Sequence, residues 1–277
     1  MTKSEDALIR DPSGGAERQM ARLIAIMMRL RDPATGCPWD IAQDFASIAP
    51  YTIEEAHEVA DAIARQAWGE LAGELGDLLL QVVYHTQIGA ETGKFDFADV
   101  ARAISDKMVA RHPHVFGDES RDKTPEQQTA DWEAIKAAER GARAEPGVLD
   151  GVALGLPALT RALKLQKRAA RVGFDWPSTD QVLAKIVEEA DELVEARESL
   201  GPEALAEEFG DLMFVMVNLG RHLGLDAEAA LRQTNAKFTR RFGAVEAALQ
   251  ARGKRPEDSD LAEMDALWDA AKRAERG

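Results

Sequence analysis

The sequence is short of several things, and each shortage narrows the field. It holds one cysteine, Cys37, in 277 residues, so no disulfide can close within the chain and no thiolate cluster can hold zinc. A reducing compartment is expected. Aromatic residues make up 6%, which argues against a strand-rich fold, where such residues concentrate. The longest apolar runs, such as Leu212 to Val217, fall far below the ~20 residues needed to cross a bilayer. The first twenty residues, Asp11-Pro12-Ser13-Gly14-Gly15 among them, are polar and lack the apolar core of a secretory signal. Basic residues are outnumbered, 34 Lys and Arg against 49 Asp and Glu, for a formal charge of −15. Such a surface repels nucleic-acid backbones and anionic membranes, so neither is an expected partner. A phosphorylated small molecule stays compatible with it, because a divalent cation can reverse the local field. The chain is expected to be soluble and cytoplasmic.

What is present is a repeat. Glu54-Glu55-Ala56-His57-Glu58 is followed by Glu74-Leu75-Gly76-Asp77, and every acidic position recurs 134 residues later in Glu188-Glu189-Ala190-Asp191-Glu192 and Glu208-Phe209-Gly210-Asp211. Lys107 and Arg111 answer Lys237 and Arg241, and Trp132 answers Trp268, with small changes of offset. Two copies of a unit of roughly 115–120 residues account for this. The expected organisation is a flexible N-terminal tail over 1–19, a first domain over 20–140, a linker over 141–158 and a second domain over 159–277. Plentiful Ala, Leu, Glu and Arg, with no alternating apolar pattern, predict an all-α fold. Thr52 with Glu55 makes a plausible cap for a helix running to about Gln66, with a break at Gly69. In the second copy Ser178, Thr179 or Asp180 could cap, Gly201-Pro202 is the break, and a later helix spans Asn235 to Ala251. Short connections force the paired helices antiparallel.

The acidic blocks then acquire a purpose. Residues three and four apart share a helix face, so Glu188, Glu189 and Glu192 face Glu208 and Asp211 on the next helix. Gathering that much negative charge beside an apolar stretch is costly unless a cation offsets it. All-oxygen ligands select Mg²⁺ or Mn²⁺ over zinc. Lys185 borders the acidic face, and Lys237 and Arg241 share one face of a later helix. A divalent metal flanked by Lys and Arg suits a polyphosphate.

These motifs resemble the MazG family of nucleoside triphosphate pyrophosphohydrolases in its tandem two-domain form. The likeness runs from about Met20 to the C-terminus and includes Gly36-Cys37-Pro38-Trp39-Asp40, Arg111-His112-Pro113-His114-Val115-Phe116 and Val172-Gly173-Phe174-Asp175-Trp176. It implies two helical-bundle domains active as a homodimer, and Mg²⁺-dependent cleavage of NTP or dNTP to NMP and pyrophosphate. Carried across by position, Glu189, Glu192, Glu208 and Asp211 are the implied metal ligands, with Glu188 a further ligand or the base for the attacking water. Lys185, Lys237 and Arg241 are the implied phosphate contacts and Trp268 a nucleotide contact. The first copy keeps a second possible metal set, Glu55, Glu58, Glu74 and Asp77, but Tyr51 stands where Lys185 does, so the chemistry is assigned to the second copy. Two rivals stand beside this reading. Glu54 and His57 form one Glu-x-x-His pair of the kind used by di-iron bundles, although Asp191 occupies the matching position in the second copy. The other rival is a dimeric helical module that binds nucleotide or protein without turnover.

Overall fold

The computed structural model describes residues 3–129, 131–132, 135 and 147–275. Among them there is no strand, and no helix is long and apolar enough to cross a membrane. The chain divides into two compact units, Met1–Lys136 and Ala137–Gly277.

In the first unit, α1 (Lys3–Arg10), α2 (Ala16–Leu30) and the short α3 (Pro38–Ala42) lead to a long pair, α4 (Phe45–Ala64) and α5 (Trp68–Glu91). Helices α6 (Phe97–Arg111) and α7 (Pro113–Phe116) follow. The α4/α5 pair is the backbone of the unit, and α2 packs across α5. Met27, Ile48, Val83, Tyr84 and Ile88 form the buried core between these three helices.

Residues 3–10, expected to belong to a flexible tail, instead form α1. Its end is tied to α2, because Arg22 Nε donates to the Ile9 carbonyl at 2.8 Å and Gln19 Nε2 to the Pro12 carbonyl at 3.0 Å. Helix α4 also starts earlier than Thr52. Asp44 is its cap, accepting from the Ser47 N–H at 2.8 Å while Ser47 Oγ accepts from the Asp44 N–H at 2.9 Å. Pro50 sits inside the helix, and Thr52 Oγ1 turns instead to His85 Nε2 at 3.0 Å. The turn between α4 and α5 is made by Gln66 in the left-handed region, φ 57°, and Gly69 lies within α5 rather than at a break.

The second unit begins after a stretch of turns. Of the expected linker, 141–146 lie outside the described residues and 147–157 hold turns but no helix. Then come α8 (Ala158–Arg171), α9 (Thr179–Ser199), α10 (Pro202–His222), α11 (Ala227–Gln250) and α12 (Leu261–Ala274). Ser178 does cap α9, and Gly201-Pro202 opens α10. Helix α11 starts eight residues before Asn235, capped by Asp226. The α9/α10 pair repeats α4/α5, α8 packs on α10, and α11 packs on α12. Val182, Val215, Val217, Val245 and Leu249 are buried between them.

Buried or part-buried polar anchors fasten each hairpin to its neighbours. In the first unit Arg31, 7% exposed, donates three hydrogen bonds to Glu91 at 2.7–3.1 Å and one to the Gln43 carbonyl at 3.1 Å. It lies 5.4 Å from the centroid of Tyr84, whose hydroxyl donates to the Asp40 carbonyl at 2.9 Å. In the second unit Gln166 of α8 donates to the Phe214 carbonyl of α10 at 2.8 Å, while Arg221 bonds Asn218 Oδ1 at 2.9 Å and pairs with Asp175. Glu91→Ala would strand a buried guanidinium without its counter-ion, a change that costs about 3 kcal/mol. Urea unfolding should show that loss of stability, and a loss below about 1 kcal/mol, the median for surface pairs, would mean the pair is no anchor.

Candidate metal centre

Helix periodicity decides which carboxylates meet. On α9, Glu188 and Glu189 sit on neighbouring faces, and Glu189 turns inward against α10, where its side chain is 7% exposed. On α10, Glu208 and Asp211 are three apart and share the face packed on α9. One oxygen from each of Glu189, Glu208 and Asp211 lies within 4.8 Å of the others. Of the four implied ligands, the structure therefore brings together three. Glu192 is exposed and outside this cluster, yet near enough for its charge to act on Glu208.

The first unit has a matching cluster made from Glu55 and Glu58 of α4 and Glu74 of α5. Here Asp77 is the member left outside, though its charge still acts on Glu55 and Glu74. The two triplets are not superposable by repeat position: Glu58 matches Glu192, and Asp77 matches Asp211. Each unit thus gathers a different three of the same four carboxylates. Neither cluster contains a histidine, and His57 is exposed, which removes the geometric basis for a di-iron reading.

The electrostatics report crowding. Partial burial, then the charges of Glu192, Asp211 and Glu189, push the Glu208 carboxyl above the ordinary range. Partial burial, then Glu58 and Asp77, do the same to Glu74, and Glu55 is raised for like reasons. The units differ in how that charge is offset. Lys185 Nζ lies 2.8 Å from Glu188 and 2.7 Å from Glu189, and these bonds raise its own pKa. The ammonium expected to meet phosphate is thus turned to the carboxylates in this structure. Tyr51 in the first unit has no charge to give and packs edge-on against Trp39, centroids 6.3 Å apart. Glu188 stays outside the cluster, its exposed side chain held through Oε1 by Lys185.

A carboxylate triplet of hard oxygen donors, with Glu189 buried, Glu208 half-buried and Asp211 exposed, is net negative even after Lys185 and fits a small divalent cation. The remaining implied contacts lie on α11 and α12. Lys237 is exposed. Arg241 lies 5.8 Å from the Trp268 centroid, and Trp268 packs on Phe238 at 5.2 Å. Beside them is a cleft of about 280 Å³ lined chiefly by Phe238, Val245, Leu261, Met264 and Trp268. Sequence reading missed Glu275, which binds both Arg240 and Arg241. The signal was available, since Trp268, Lys272 and Glu275 repeat the spacing of Trp132, Lys136 and Glu139. In the first unit Trp132 Nε1 donates to the Arg111 carbonyl at 3.1 Å, and His112 packs edge-on against the indole.

The MazG nucleotide pyrophosphohydrolase domain matches twice, at residues 43–116 and 178–245, so that each match contains one α4/α5-type hairpin and its carboxylates. The chain is 52% identical over 259 residues to a nucleoside triphosphate pyrophosphohydrolase of Escherichia coli strain K12, covering 93% of this chain and 98% of that one. It is 42% identical over 250 residues to the nucleoside triphosphate pyrophosphohydrolase/pyrophosphatase MazG of Thermotoga maritima, covering 90% and 94%. A third relative, the uncharacterised protein YabN of Bacillus subtilis, is 44% identical over 253 residues that make up 51% of its length. With the domain present twice and two relatives matched along nearly their whole length, this chain belongs to the MazG nucleotide pyrophosphohydrolase family.

Proposed function

We propose that the second unit of this nucleoside triphosphate pyrophosphohydrolase cleaves NTP or dNTP to NMP and pyrophosphate with Mg²⁺, or Mn²⁺ in its place, while the first unit does not turn over. The observation that carries the reading is the buried Glu189 converging with Glu208 and Asp211 while Lys185 reaches the same carboxylates. Glu189, Glu208 and Asp211 would hold the cation, with Glu192 close by to complete the set. A cation bound there supplies an acidified water and polarised phosphoryl oxygens. Among the described residues Oε2 of Glu188 has no bonded partner, while its Oε1 is held by the Lys185 that also reaches Glu189, and that free oxygen accepts the proton of the attacking water. Lys185, held at Glu188 and Glu189 here, would have its ammonium free for phosphate were a cation to offset those carboxylates. Lys237 and Arg241 hold the charge that develops on the departing pyrophosphate. Trp268 offers its face to base or sugar.

The balance of the reaction is NTP and water giving NMP, pyrophosphate and a proton. With Mg²⁺ and a panel of NTPs and dNTPs, pyrophosphate rather than phosphate should be released, and excess chelator should abolish the release. Glu189→Gln or Asp211→Asn should lower it by about 10²-fold or more, as expected when a group at the point of charge development is lost. The matching Glu55→Gln and Asp77→Asn should stay within about threefold, in line with changes away from the chemistry. Activity surviving in chelator sinks the metal reading, and equal losses in both units sink the assignment to the second.

The active species is proposed to be a homodimer. On α10, Phe209, Met213 and Met216 are exposed at spacings of four and three, beside exposed Leu183, Val187 and Val194 on α9. An apolar groove of about 490 Å³ between the two helices is lined by Leu193, Val194, Pro202, Leu205 and Phe209. A stripe of that kind calls for a cover, and the resemblance to a dimeric family makes a second copy the natural one. Light scattering at working concentration should give twice the chain mass, and Phe209→Glu with Met216→Glu should shift it towards one. A wild-type protein that stays at one chain mass contradicts the dimer.

A further inference from the structure

Glu275 follows the last residue of α12 and reaches back across α11. One of its oxygens, Oε2, accepts from Nε and Nη2 of Arg241 at 2.8 and 2.7 Å. The other, Oε1, accepts from Nε of Arg240 at 2.8 Å. Arg241 is 15% exposed and is gripped from a second side by the Trp268 ring, 5.8 Å away. Arg240 is largely exposed, 62%, so it restrains the carboxylate without being enclosed itself.

A guanidinium carries two edges that can each bind an oxyanion in bidentate fashion, Nε with Nη2 and Nη1 with Nη2. Glu275 fills the first of these on Arg241. Among the described residues Nη1 makes no hydrogen bond, so no other group of the chain takes up the second edge. An arginine on a long, free side chain must be ordered when it meets its ligand, whereas one already clamped by a carboxylate and an aromatic face meets it in a single orientation.

We infer that Glu275 is a positioning residue of this enzyme, holding Arg241 against Trp268 so that its Nη1/Nη2 edge is set to receive a substrate phosphate. The inference rests on the reading of Arg241 as a phosphate contact. The same three-residue spacing, Trp132, Lys136 and Glu139, stands in the first unit's sequence. Burial of the partner arginine and the bonds to Arg240 and Arg241 keep the clamp closed, and those same bonds lower the Glu275 pKa. The opposite device would be a competitor: a carboxylate sitting where phosphate should bind, which must be expelled before substrate enters. The two differ in sign. Removing a positioning residue weakens substrate binding, and removing a competitor tightens it.

Steady-state pyrophosphate release by the full-length enzyme, with Mg²⁺ and ATP, GTP, CTP and UTP in turn, separates them. Glu275→Ala should raise KM by about tenfold, the scale of one hydrogen bond to a charged group, with kcat changed by less than about twofold. Glu275→Gln, which keeps one acceptor but no charge, should fall between Ala and wild type. Arg241→Ala should raise KM at least as much, and the double variant should be no worse than Arg241→Ala alone, because the clamp then has nothing to hold. A KM unchanged or lowered in Glu275→Ala, while Arg241→Ala raises it, overturns the positioning role and leaves the phosphate contact standing. A KM untouched by Arg241→Ala overturns both.

Discussion

Glu189, Glu208 and Asp211 bring their oxygens within 4.8 Å of one another on a helix hairpin whose other face is packed core. Like charges at that separation repel strongly wherever water is thin, and the raised pKa of Glu208 is the visible cost. Positive charge at the cluster relieves that repulsion. Lys185 supplies part of it through contacts of 2.7 and 2.8 Å. A divalent cation supplies the rest in the proposed working state, and the same ammonium then becomes available to substrate. One charge requirement thus links the stability of the hairpin to its chemistry.

The two units answer that requirement differently. The first keeps the helix pair, a carboxylate triplet and even the tryptophan that follows, but Tyr51 replaces the ammonium and the triplet shifts to Glu55, Glu58 and Glu74. The shift leaves the first unit with two cluster members on α4 and one on α5, and with Asp77 exposed beside them. A part-buried ion pair lies instead at the far end of α5, where Arg31 and Glu91 fasten α2 to α5 and Arg31 also binds the Asp40 carbonyl of α3. Duplication has kept the scaffold in both units. The means of balancing charge has been kept in one.

Much of this could be read from the residues, because helical spacing is rigid. Acidic residues at positions one, two and five of one helix, and one and four of the next, can only converge if the helices pair. Ser178 and Gly201-Pro202 marked their boundaries for local reasons, a side-chain cap and a residue without an N–H to lose. What was illegible depended on distance. Pro50 suggests a helix start, yet α4 runs through it from Asp44, since core contacts of Ile48 outweigh one missing hydrogen bond. Residues 3–10 look like a tail until Arg22 and Gln19 are seen binding the backbone around them. Glu275 lies 34 residues from Arg241: the repeat of Trp132, Lys136 and Glu139 flags the residue, but no helical period names its partner. The choice of three carboxylates from four is likewise a matter of how the helices rotate against each other, which spacing alone leaves open.

The central claim is that the second unit's carboxylate triplet holds a divalent cation and that Lys185 gives way to it. Crystals grown with Mn²⁺ and a non-hydrolysable NTP analogue allow both to be seen through anomalous diffraction. The account predicts an anomalous peak coordinated by Glu189, Glu208 and Asp211, with Lys185 Nζ moved from Glu189 to a phosphate oxygen. No peak at that cluster, with Lys185 still bonded to Glu188 and Glu189 beneath a bound nucleotide, would contradict it.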